Sequence, residues 1–337
     1  MMSYRTVCMI FMPLVVMSAL SAGNIQGLVV KYENSSFRSV ILKTDGTYFF
    51  CGHGNPLLTI IDQNGLIKGG FDISRFENSV IPPKRRRLLT DIDRIPGVGV
   101  YGLLVGAQFE GKPPETMILK FQDSEELLEP VVIPLEIKIA GDRIRVDSTG
   151  NVYILGLAES DFEKIIIKRN PGECPLLHKF NPKGEHIYST FVRYVDPSPG
   201  KYMMTYTSPI LATSNFIVSP KGDVWILWHK LVENQRGWPD SSLFEIDSEG
   251  ELREISPAVP ETGYILTGLV KNVDSLEVLF EWKRHDPTLE IDTILTDSYG
   301  AIISKGCFPG KILSINDKTV LTTAYKDGKH ALIKYTY

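Results

Sequence analysis

The side chains best suited to acid–base or metal chemistry are six histidines: His53, His178, His186, His229, His285 and His330. None forms His-x-His or His-Glu-x-x-His, so no metal motif is written in the sequence. Asp91-x-Asp93 is a close pair of carboxylates that can ligate calcium or simply meet water. Mature cysteines Cys51, Cys174 and Cys307 are far apart and form no Cys-x-x-Cys, which supports neither a zinc nor a redox motif. Gly-x-Ser-x-Gly, Walker and dinucleotide fingerprints are all missing. No cofactor is expected from these residues. Lys84-Arg85-Arg86-Arg87 is a local basic cluster in a chain of net charge −4, and that balance argues against a nucleic-acid partner.

Those candidates need a frame, and the frame is repetitive. One phrase is a strand, an Asp/Asn/Ser-x-x-Gly turn and a second strand. It occurs at Asp62 to Gly65, Asn181 to Gly184, Asp247 to Gly250 and Asp297 to Gly300, with a copy at Asp123 that lacks the glycine. In such turns Asp or Asn caps its own backbone and Gly supplies the positive φ. A second phrase interleaves with the first. It has turns at Asp45-Gly46, Pro96-Gly97, Asp147 to Gly150, Pro220 to Gly222, Asp274 and Asp317. Each unit then holds two hairpins over roughly 45 to 70 residues, the sequence form of a propeller blade. Six second-phrase turns predict six blades. Only 160–168 approaches a helical period, and its isoleucine run suits a strand equally.

The chain of 337 residues is 43% hydrophobic and 23% charged, ordinary values for a folded protein. Residues 1–22 read as a signal peptide: a charged start, a short apolar run and small residues around Ser21 to Gly23. That run is too short to span a bilayer, and no later stretch does better. The expectation is a secreted or periplasmic chain with no membrane span after cleavage, 23–337 forming one all-β domain. The end of the chain supplies three strands, and Gly27 to Tyr32 supplies a spare one. An N-terminal strand completing the last blade would close the ring.

The phrase Val146-Asp147 to Gly150-Asn-Val-Tyr-Ile-Leu155 resembles the six-bladed β-propellers of the NHL and TolB-like group found in exported bacterial proteins. The resemblance covers the mature chain as a repeat pattern and implies architecture only. Members of that group include binding scaffolds, lactonases and lyases. Resemblance to the lactonases would imply a channel calcium, and Asn215 stands where those enzymes carry an asparagine. No matching early glutamate or later aspartate accompanies it.

In such a frame the hairpin turns share one face and the longer connections share the other. Function concentrates on long loops held by a rigid scaffold. The long-loop face carries His53, His229, Arg236, Trp238, Arg284 and His285 as candidate binding residues, with Trp238 and Arg284 as the anchors. The expected role is a monomeric binding module for a peptide, glycan or protein partner. The alternative is a metal-dependent, lactonase-like hydrolase or lyase at the central channel.

Overall fold

The computed structural model describes residues 28–31, 37–43, 47–52, 57–62, 66–72, 87–106, 116–123, 130–161, 177–190, 215–229, 241–273, 275–284, 292–308, 311–316, 319–326 and 329–336. Alternating, β-branched and aromatic sequence gives strands throughout. Residues 159–161 are helical, where the sequence allowed either period.

The strands in chain order build one sheet after another. After β1 (Leu28–Lys31) come β2 (Phe37–Leu42), β3 (Tyr48–Gly52), β4 (Leu58–Ile61) and β5 (Ile67–Phe71). Next are β6 (Arg87–Ile95), β7 (Gly99–Gly106), β8 (Thr116–Phe121) and β9 (Val131–Ile133). The third group is β10 (Ile139–Val146), β11 (Val152–Ala158), β12 (Leu177–Phe180) and β13 (His186–Thr190). The fourth is β14 (Asn215–Val218), β15 (Val224–His229), β16 (Ser241–Ile246) and β17 (Leu252–Ile255). Then follow β18 (Tyr264–Lys271), β19 (Val278–Arg284), β20 (Asp292–Thr296) and β21 (Ile302–Cys307). Last are β22 (Lys311–Asn316), β23 (Thr319–Lys326) and β24 (Lys329–Thr336).

Each group of four pairs in sequence order as an antiparallel meander, and β1 joins the edge of the β22–β24 group, giving six four-stranded sheets. In that last sheet β1 runs antiparallel to β24, with Leu28 opposite Lys334 and Lys31 opposite Ala331. The core lies between consecutive sheets. Phe49, Leu58 and Phe71 of the first sheet pack with Leu89, Leu104 and Phe121 of the second. Similar clusters join Tyr101, Leu103 and Ile118 to Ile144 and Ile154, and Tyr153 and Leu177 to Phe216 and Ile226. The series continues through Leu227 with Trp282, and Leu279 and Leu295 with Ile312 and Tyr335. Face-to-face packing of successive twisted sheets is propeller architecture with four-stranded blades.

The first strands of the six sheets touch in cyclic order: β2 with β6, β6 with β10, and so on to β22, which returns to β2. They surround the channel. Every first strand runs from the face of the longer connections toward the face of the hairpin turns.

Those turns behave as their sequence requires. Asp147 Oδ1 accepts the amides of Thr149 and Asn151 at 2.9 and 3.0 Å, and Gly150 has φ +86°. Asp247, Asp297 and Asn181 do the same for Glu249 and Glu251, Tyr299 and Ala301, and Lys183 and Glu185. Where Ser219 replaces the acid, its Oγ accepts the Asp223 amide at 3.1 Å. Two turn glycines also meet a neighbouring element. A Cβ on Gly222 would lie 2.8 Å from Tyr153 Oη, and one on Gly184 only 1.8 Å from the Pro134 carbonyl oxygen.

Candidate functional site

Backbone ladders end at each sheet's inner edge, and most of the ties between neighbouring first strands come from side chains. Asp91 on β6 is fully buried. Its Oδ2 accepts the Ile144 amide at 3.0 Å and Arg145 Nη1 at 2.5 Å, both from β10. Two residues on, Asp93 Oδ2 accepts the Val146 amide at 2.8 Å. Arg145 also donates Nε to the Phe216 carbonyl of β14 at 2.9 Å and lies over the Phe216 ring. On the opposite wall, the Val273 amide donates to Ile315 at 2.8 Å, linking the end of β18 to β22. Lys271 of β18 spans the channel, its Nζ 3.6 Å from Asp93 Oδ2.

Asp91 and Asp93 were candidates for calcium on sequence alone. The structure gives them cationic and amide partners instead, and they act as cross-ties between strands. Their partners, Arg145 and Lys271, were missed by the motif reading. A signal existed: Asp91-x-Asp93 and Arg143-x-Arg145 place charges at the strand period of two within first strands, and Lys271 ends another.

These ties border a cavity of about 120 Å³ lined from all six first strands. Its polar lining includes Ser39, Asp93, Arg143, Arg145, Lys271 and Ser314. Pro96, Val273 and Leu276 carry it toward the hairpin-turn face. Leu276 has φ +61°, a conformation costly for a bulky residue, and it sits on the cavity wall.

Beside the channel, Arg94 grips Asp123 with two bonds of 2.9 and 2.7 Å, and the Gly97 amide adds a third at 3.0 Å. Burial alone would raise the Asp123 pKa. The Arg94 and Gly97 bonds and the charges of Arg94 and Lys43 outweigh it and hold the carboxyl below the ordinary range. Asp147 is likewise lowered: burial opposes ionisation, but bonds from Thr149, Asn151 and Tyr153 prevail. Lys179 sits over the Tyr153 and Tyr188 rings, 5.1 and 5.3 Å from their centroids. Its pKa falls because burial outweighs the attraction of Asp147 and Asp223.

At the other end of the channel, the fifth sheet presents a polar group on the long-loop face. Tyr264 opens β18 and donates its hydroxyl to Asp292 at the start of β20. Burial, then the Asp292 bond and charge, push the phenol above its usual pKa. Lys305 donates to both carboxylate oxygens of Glu261 at 3.0 Å. Arg284 ends β19 in the same group, exposed, with its Nε 3.9 Å from a Cβ built on Gly263.

Of the six expected binding residues, Arg284 is the one whose side chain is described, and it lies on the long-loop face. His229 ends β15 at that face, its backbone alone being described, as is that of Asn215 at the start of β14. His53, Arg236, Trp238 and His285 lie outside the described residues. His178 and His186 sit in the β12–β13 hairpin, where Ser189 Oγ is 2.8 Å from a ring nitrogen of each. Among the described residues no three His, Cys, Asp or Glu side chains converge to hold a metal ion. Among them, too, no helix is long and apolar enough to cross a membrane.

Comparison with known proteins adds little beyond shape. No family model matches the chain, and no curated protein does. Solved structures do resemble it. A protein of unknown function from Bacteroides caccae is 13% identical with a TM-score of 0.48, over 85% of this chain and 87% of that one. A virginiamycin B lyase from Staphylococcus aureus is 12% identical with a TM-score of 0.45, over 93% and 100%. TolB from Acinetobacter baumannii is 11% identical with a TM-score of 0.40, over 88% and 63%. At such scores the fold assignment rests on the sheet topology itself.

Proposed function

We propose that the chain is an exported, monomeric binding module, a six-bladed propeller that holds a peptide, glycan or protein partner on its long-loop face. In this reading the six sheets are six blades, and β1 closes the ring by completing the sheet of β22–β24. The observation that carries the site is Arg284. Its guanidinium is exposed at the end of β19, on the long-loop side, and it stands among groups that are already fixed. Tyr264 is locked to Asp292 and Lys305 to Glu261. A planar guanidinium on a rigid rim suits bidentate recognition of a carboxylate, a backbone carbonyl pair or a sugar acid. His53, His229, Arg236, Trp238 and His285 are assigned to the same face as further contacts, with Trp238 as an aromatic anchor.

The test is binding of the mature chain to peptide and glycan arrays beside its Arg284→Ala and Trp238→Ala variants. The reading expects a defined set of bound sequences or glycans, and about a tenfold loss in each variant. Binding unchanged in both variants would place the partner elsewhere.

A further inference from the structure

We infer that the channel cavity at the hairpin-turn end is a second binding site, specific for a small monocarboxylate. Nothing in the long-loop reading requires it. Its chemistry differs and its location is the opposite end of the channel.

The charged lining of the cavity is Arg94, Arg143, Arg145 and Lys271 against the single carboxylate of Asp93. Two of their counter-charges, Asp91 and Asp142, are absent from the lining. Among the described residues, donors remain beyond the contacts made within the protein. Arg143 uses Nε on Asp142 at 3.3 Å, leaving both terminal nitrogens for a ligand. Lys271 has one partner at 3.6 Å, for three N–H groups. Ser314 is 5% exposed and lines the cavity, and among the described residues its Oγ has no hydrogen-bond partner. An orphaned buried hydroxyl costs stability unless something in the cavity engages it. Leu276, strained at φ +61°, closes the same wall, and backbone strain of this kind gathers at ligand clamps.

The class of ligand follows from charge and size. Two or three cationic donors with a hydroxyl suit an oxyanion. The Asp93 carboxylate in the same wall repels a dianion, which disfavours phosphate and leaves a single-charged carboxylate. A cavity of about 120 Å³ holds several waters or one small organic acid. Leu269, Val273, Leu276 and Ile312 supply apolar contact for a short carbon chain.

The experiment is calorimetric titration of the mature protein with sodium acetate and, separately, inorganic phosphate, at ionic strength matched with sodium chloride. Saturable acetate binding is expected, weakened about tenfold in Arg143→Gln and severalfold in Ser314→Ala, with phosphate weaker than acetate. Arg143 is partly exposed, and circular dichroism melting checks that both variants fold. A crystal soaked in acetate is expected to show a carboxylate between Arg143 and Lys271. Absence of saturable binding, undiminished binding in Arg143→Gln, phosphate binding tighter than acetate, or waters alone in the soaked cavity would each overturn the assignment.

Discussion

Removing the charge of Asp91 should destabilise the ring more than any surface change of equal size. The side chain is wholly buried, with its partner Arg145 15% exposed. Asp91→Asn keeps an acceptor oxygen for both the Ile144 amide and Arg145 Nη1, which share Oδ2, but removes the negative charge that compensates the guanidinium. Breaking a buried ion pair on one side costs about 3 to 5 kcal/mol. The residual exposure of Arg145 and its carbonyl acceptors on Ile144 and Phe216 place this case at the lower end, about 3 kcal/mol. Asp91→Ala also orphans the Ile144 amide, adding about 1 to 2 kcal/mol. Asp91→Asn combined with Arg145→Met removes both charges, and it should recover part of the loss. Equilibrium urea unfolding followed by tryptophan fluorescence reads the parent, Asp91→Asn, Asp91→Ala, Arg145→Met and the double variant, provided the slopes agree. A cost below about 1 kcal/mol for Asp91→Asn, or strictly additive single and double variants, would refute the cross-tie argument.

Other consequences are as direct. Asp123 and Asp147 both have lowered pKa values, so each contributes stability that is full above the unfolded carboxylate pKa near 4 and lost as pH falls below it. Urea midpoints measured from pH 5 to pH 2 should therefore fall, and less steeply in Asp123→Asn. A slope unchanged by that substitution would contradict the Arg94 clamp. Gly184→Ala forces a Cβ into the Pro134 carbonyl at φ +87° and should cost at least about 2 kcal/mol, or fail to fold, whereas Ala at the open turn of Gly97 should cost about 1 kcal/mol. Thermal melts of the two variants check the difference. Leu276→Gly should be no less stable than the parent, because relief of φ +61° offsets the added chain entropy; Leu276→Val should lose about 1 to 2 kcal/mol.

The blade pattern was legible because turn chemistry is local. Asp147, Asn181, Asp247 and Asp297 each fix a hairpin with their own side chain, and Gly150, Gly184, Gly250 and Gly300 follow at a set distance. A spare N-terminal strand was expected for a different reason, that the last unit offered only three; the register of 28–31 against β24 was not in the sequence. What the sequence hid is what distance hides. Asp93 and Lys271 face each other across the channel from opposite sheets, and no local pattern relates residues so far apart. Asp91 and Asp93 read either as calcium ligands or as acids facing water, because the carboxylate pair was visible while the arginine and lysine that neutralise it were not. The cavity is likewise assembled from six strands, each giving only one to three residues.

Hydrogen–deuterium exchange of the mature protein, with and without the best array ligand, decides whether partners sit at the long-loop end of the propeller. Binding there gives new protection in peptides covering 229–240 and 284–292 and none at the hairpin turns 147–151 and 219–223. Protection confined to those turns would move the site to the opposite face.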